Sequence, residues 1–259
     1  MKKVTIKYPG LIGERELSFS APENWAELTP KQYLEVIRYM LGEISPDTIF
    51  FRLYPIPKKM VAQFDGYYMY KLGELLSFLS DDRIEMDHFI LPSLKISLIE
   101  SYPAPAPKLA DVSLQQFMSA DTYFSYYSIK QEDHFLSLFV ASLYKPANEK
   151  FAAISGNERL INLPINASKL SALPRHQLFA VFLNWSFIKI WLGRIFPYMF
   201  PPSSPSAGPT GLPKPKGPDW LTLFDNFVGD HIADMQAYQA MPCMDAFRII
   251  NRKIKENLK

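Results

Sequence analysis

Cysteine is nearly absent from this sequence: Cys243 is the only one in 259 residues. That excludes an intrachain disulfide and a cysteine-based metal cluster. Charge imbalance is also missing. The 28 basic and 26 acidic residues leave a net charge of +2, so no global field draws the chain to nucleic acid or to a membrane surface. The opening MKKVTIKYPG is charged but lacks the apolar core of a signal peptide, and a cytoplasmic protein is the expectation. There is no phosphate-cradling glycine loop, no GxSxG elbow and no HExxH pair, which removes the commonest nucleotide, hydrolase and zinc-peptidase signatures.

What is abundant is apolar and aromatic surface, 48% and 14% of the residues. A chain of this size buries about 70% of its unfolded surface. Val4, Ile6 and Tyr8 alternate with polar residues, as do Leu17 and Phe19, and PGLIG lies between them: a β-hairpin with one apolar face. Thr29-Pro30-Lys31-Gln32 then reads as a capping box with proline at the first helical position, and Gly42 as that helix's stop. Further helices are expected from Ser45-Pro46 through FFRLY, over 67–79, over 113–129 and over 133–144. A short β segment is expected within 84–100, an extended connector at 102–108, and a small helix after about 166. The stretch from Leu178 to Phe200 has transmembrane length. Lys189 near its middle would cost at least ~2.5–3.5 kcal/mol in a bilayer. Phe179, Phe182, Trp185, Ile188 and Leu192 recur at helical spacing, which favours a buried core helix.

Residues 201–218, PPSSPSAGPTGLPKPKGP, hold seven prolines, three glycines and three serines. Such a composition cannot offset the entropy of ordering and reads as a tether. The expected organisation is therefore mainly α: a helical body with an N-terminal β-hairpin (1–200), the linker (201–218) and a small tethered helical module (219–259). In the module Asp219 caps WLTLFDNFV, and a last helix from Pro242 carries Met244, Phe247, Ile250 and Ile254 on one side.

Chemistry-bearing clusters are sparse. His88, His134, His176 and His231 lie far apart. Asp81, Asp82, Glu85, Asp87 and His88 form the densest polar run, either a cation or general-base site or a solvated helix end, and the second reading is favoured. Cys243 near a helix start is either a lowered-pKa thiol or a small core residue, again with the second favoured. The cluster Tyr123, Phe124, Tyr126, Tyr127 has one basic neighbour, Lys130, so packing or a protein interface outweighs base stacking.

Four segments carry a resemblance: NWAELTPKQYLEVIRYML, FLSLFVASLYKP, LPRHQLFAVFLNWSFIKIWLGRIFPYMF and MPCMDAFRIINRKIKE. They are similar to proteins of Bacteroidetes phages and prophages, and the organisation resembles phage tail assembly chaperones, although typical members are shorter. The resemblance implies a non-enzymatic cytoplasmic protein of the bacterial host with no cofactor or metal. Its body would bind the tape measure protein and its extension would recruit tail tube subunits. Neither nucleic acid nor a membrane is an expected partner. Helices around 113–144 and 174–197, including Tyr123, Tyr127, Phe182 and Trp185, are expected to face the tape measure. Trp220, Phe224, Phe247 and Arg252 are expected to serve the second partner, with 219–259 deletable without unfolding the body. The alternatives are a structural tail or connector component of the virion and an enzyme using the acidic run.

Overall fold

Lys2–Pro9 (β1) and Glu14–Ala21 (β2) pair antiparallel, with Val4 opposite Phe19 and Ile6 opposite Leu17. In the register the alternation required, Ile6 and Phe19 point to a buried face and Thr5 and Ser18 to solvent. The computed structural model describes residues 1–9, 14–57, 60, 64, 66–81, 84–146, 156–201, 220–229 and 234–258. The tether (beyond Pro201), Asp219, Asp82, His231 and most of PGLIG lie outside the described residues. Among these residues the protein is mainly α, with ten α-helices and two small antiparallel hairpins. It divides into two compact units, Met1–Ile84 and Glu85–Lys259.

In the first unit, the helix Pro30–Met40 (α1) begins as its sequence requires. Gln32 N–H donates to Thr29 Oγ1 at 3.3 Å, and Thr29 N–H donates to Gln32 Oε1 at 3.0 Å. Gln32 also donates its side-chain amide to Leu53 O at 2.8 Å, tying α1 to the end of Pro46–Leu53 (α2). Gly42 ends the first helix at φ 73°, a left-handed conformation that most side chains resist. Gly66–Glu74 (α3) stops short of the expected Leu79 and passes into a 3-10 turn at Ser77–Ser80. There Phe78 is buried and its carbonyl accepts the Trp25 indole N–H at 3.1 Å.

The second unit opens with a hairpin, Ser93–Lys95 (β3) with Ser101–Pro103 (β4). The expected extended connector therefore contributes its first residues to a strand and ends in a 3-10 turn at Pro107–Leu109. Leu114–Lys130 (α4) is capped by Ser113, whose Oγ accepts Gln116 N–H at 3.3 Å. It ends where Gln131 turns left-handed, and Asp133–Leu143 (α5) follows. The segment before the long helix is itself a helix, Gly156–Leu170 (α6), longer than expected because Pro164 is accommodated inside it.

Arg175–Ile195 (α7) is long and apolar enough to cross a membrane. Here it is the central helix, with Trp185, Ile188 and Leu192 sealed in the core. Asn184 is buried too. Its Oδ1 accepts Ile90 N–H at 2.7 Å, and its Nδ2 donates to His88 O at 3.0 Å. A residue that reads as the polar edge of a helix thus pins a neighbouring loop, since buried backbone groups need partners.

The C-terminal residues belong to this same unit, so the chain does not divide at the tether. Trp220–Val228 (α8), Met235–Ala240 (α9) and Cys243–Asn257 (α10) complete it, α9 being unanticipated. Leu114 N–H donates to Met241 O at 2.8 Å and Cys243 N–H to Val112 O at 2.9 Å. The Asn251 side chain accepts the N–H groups of Tyr198 and Met199 at 3.0 and 3.1 Å. At the centre the Phe117 ring meets Phe247 at 4.7 Å, Trp185 at 5.1 Å and Trp220 at 5.4 Å. Removing 219–259 would strip three walls from the core, contrary to the expectation that the body stands without them.

Candidate functional site

The acidic run does not converge. Asp81 belongs to the first unit and Glu85, Asp87 and His88 to the second. Glu85 pairs with Arg194 at 2.7 Å and Asp87 with His88 at 2.8 Å. No group of three or more potential metal ligands forms among the described residues. The Cys243 thiol is fully buried, and burial pushes its pKa up to about 12, the opposite of an activated nucleophile.

Most residues expected to touch partners are structural. Tyr127, Trp185, Trp220, Phe224 and Phe247 are buried, and Tyr123 and Phe182 are half-buried. The reason is helical phase: Phe117, Ala120, Phe124 and Tyr127 recur every three or four residues and line the inner face of α4. Phe182 stacks on Phe124 at 4.6 Å beneath them. Of the eight, only Arg252 is exposed.

The same phase turns Tyr126 and Ile129 outward, 45% and 71% exposed. Tyr126 meets Phe135 of α5 at 5.3 Å and Tyr123 at 6.5 Å, and the Lys130 ammonium lies 5.0 Å from the Phe135 ring centre. The result is an aromatic and aliphatic patch over the α4–α5 elbow with a cation at its edge. Sequence reasoning found the cluster but missed its outward members. The three-residue spacing of the inward ones was the available signal.

Beside the patch lies a pocket of about 440 Å³, lined by the start of α5, the second half of α6 and the start of α7. Its walls include Leu136, Leu138, Ala167, Leu173 and Leu178, and its polar members include Asp133, His134 and Arg175. His134 borders both surfaces, since its ring also packs on Phe135 at 5.5 Å. The Arg175 guanidinium donates to Asp133 Oδ1 at 3.2 Å and to the Tyr127 hydroxyl at 3.1 Å. Partial burial works against the Arg175 charge, but Tyr127 and Asp133 outweigh it and raise its pKa above the ordinary arginine value. The hydroxyls of Ser137 and Ser171, also in the pocket wall, donate to the carbonyls of Asp133 and Ser168. An apolar floor with a fixed ionic rim suits the binding of an aliphatic or aromatic side chain.

Comparison of the chain with models of protein families, with curated proteins and with solved structures finds no match.

Proposed function

We propose that this protein is a non-enzymatic assembly chaperone of phage tails. In this reading it holds an amphipathic helix of the tape measure protein on the elbow of α4 and α5, and recruits tail tube subunits through the exposed basic side of α10. The observation that carries the first half is the patch of Tyr126, Ile129 and Phe135 beside an apolar pocket. A groove-binding helix presents anchors three and four residues apart, and such a surface takes them. The four segments similar to phage and prophage proteins supply the identity of the partner. For the second half, Arg252 is exposed on a helix whose Lys253 and Lys255 lie over Phe227 and Tyr198 at 5.5 and 5.7 Å. That arrangement leaves a cationic face suited to an acidic partner surface.

The test is affinity capture of the tagged chain from cells producing tails, with mass spectrometry of finished particles. Tape measure and tube proteins should co-purify while the chain is absent from particles. Tyr126→Asp with Ile129→Asp should abolish tape measure capture and leave the fold intact. The chain at fixed copy number in particles would make it a structural virion component instead.

A further inference from the structure

The hairpin of β3 and β4 ends in the most exposed apolar pair of the protein. Leu98 and Ile99 are 106% and 98% exposed, at the tip of an ordered turn. Ser97 Oγ accepts the N–H groups of Ile99 at 3.4 Å and Glu100 at 3.1 Å, and Ile96 N–H donates to Glu100 O at 3.1 Å. Glu100 in turn accepts from the Tyr102 hydroxyl at 3.1 Å and from Lys169 at 2.8 Å. The turn is thus braced by α6, and two aliphatic side chains are held in water where a loose loop would fold them away. Adjacent, fully exposed aliphatics on a fixed turn mark an interaction site rather than an accident of composition.

A convex apolar tip requires a concave apolar partner, and this unit carries one. The pocket wall uses Pro164, Ala167, Ser168 and Ser171 of α6, while Lys169 of the same helix holds the tip. Ile165, one helical turn before Lys169, is 53% exposed on that side. The pocket of about 440 Å³ has room for two aliphatic side chains, given that a cavity of about 150 Å³ accommodates a benzene ring. Charges match as well: Lys95 and Glu100 flank the tip, and Asp133 and Arg175 rim the pocket. We infer that a second copy of this chain covers the tip, Leu98 and Ile99 of each protomer entering the α5–α6–α7 pocket of the other. Because tip and pocket share one helix, a two-fold axis near α6 satisfies both at once and closes the assembly as a dimer. Reciprocity also doubles the contact, toward the roughly 1,200 Å² that stable interfaces bury.

Sedimentation equilibrium of the full chain tests this. The wild type should be a dimer. Leu98→Asp with Ile99→Asp should weaken it about 30-fold or more, the loss expected of central anchors. Ser168→Trp, which fills the pocket from an exposed position, should do the same, and circular dichroism should show both variants folded. Mixing Ile99→Cys protein with Ser168→Cys protein under mild oxidation should give a disulfide heterodimer, Cys243 being buried and unavailable. A wild type that stays monomeric up to its solubility limit overturns the proposal. So does a dimer indifferent to the Asp substitutions, or a monomer that pellets with phosphatidylglycerol vesicles through Leu98 and Ile99.

Discussion

Two carboxylates of the second unit have the same kinds of partner and opposite surroundings. Asp121 on α4 is 1% exposed; its Oδ1 accepts from Lys189 at 2.7 Å and its Oδ2 from the Trp220 indole at 3.0 Å. Asp133 at the start of α5 is 66% exposed and pairs with Arg175, which reaches the Tyr127 hydroxyl. Each site is a carboxylate, a cation and an aromatic polar group. The first is sealed and joins α4, α7 and α8; the second stands open at a pocket rim. Burial decides which of the two the fold depends on, because a charge removed from water must keep its partners while an exposed one has water to fall back on.

The strongest test of that contrast attacks the packing around the sealed site. Phe247→Ala removes a fully buried ring that contacts Phe117, Phe196, Phe200 and Trp220. It should cost about 3–5 kcal/mol, read as a fall in the urea midpoint. A loss below about 1 kcal/mol would mean that α10 does not dock in solution, since an undocked ring has no cavity to leave.

Next is the sealed charge itself. Asp121→Ala leaves Lys189 part-buried without its carboxylate and should cost about 3–5 kcal/mol, whereas Asp121→Leu with Lys189→Met should recover much of it. Recovery is the informative arm: it separates the penalty of a stranded ammonium from any intrinsic worth of the pair. Trp220→Phe keeps the ring, removes only the indole donor to Asp121, and should cost about 1–3 kcal/mol. Denaturant melts of the four proteins complete the set.

How much of this was legible in the sequence follows the range of each interaction. The capping box of Thr29 and Gln32, the stop at Gly42 and the α4–α5 break rest on neighbours a few residues away, and the structure has them where the sequence implies. Asn184 and Lys189 were read as a polar edge because their partners, residues 88–90 and Asp121, lie more than sixty positions off. The tether misled for the same reason. Its composition speaks only of its own ordering entropy, and the docking of α8 to α10 depends on Phe117 and Val112, about a hundred residues earlier. For the candidate site, helical phase alone separates inward Phe124 and Tyr127 from outward Tyr126 and Ile129. The pocket beside them needed α6, whose course the sequence did not disclose.

The smallest expected effect on stability is at the open carboxylate. Arg175→Ala breaks both the ion pair with Asp133 and the bond to Tyr127. Because the pair is solvent-exposed, its loss should cost less than about 1 kcal/mol, and added salt should shrink the difference further. The same variant widens the pocket mouth and removes its fixed cation, so capture of the tape measure protein should weaken while the melting temperature barely moves. A stability loss as large as that of Asp121→Ala would erase the distinction between the two sites and make the pocket rim part of the scaffold. Unchanged capture at unchanged stability would confine the partner surface to Tyr126, Ile129 and Phe135, on the far side of His134 from the arginine.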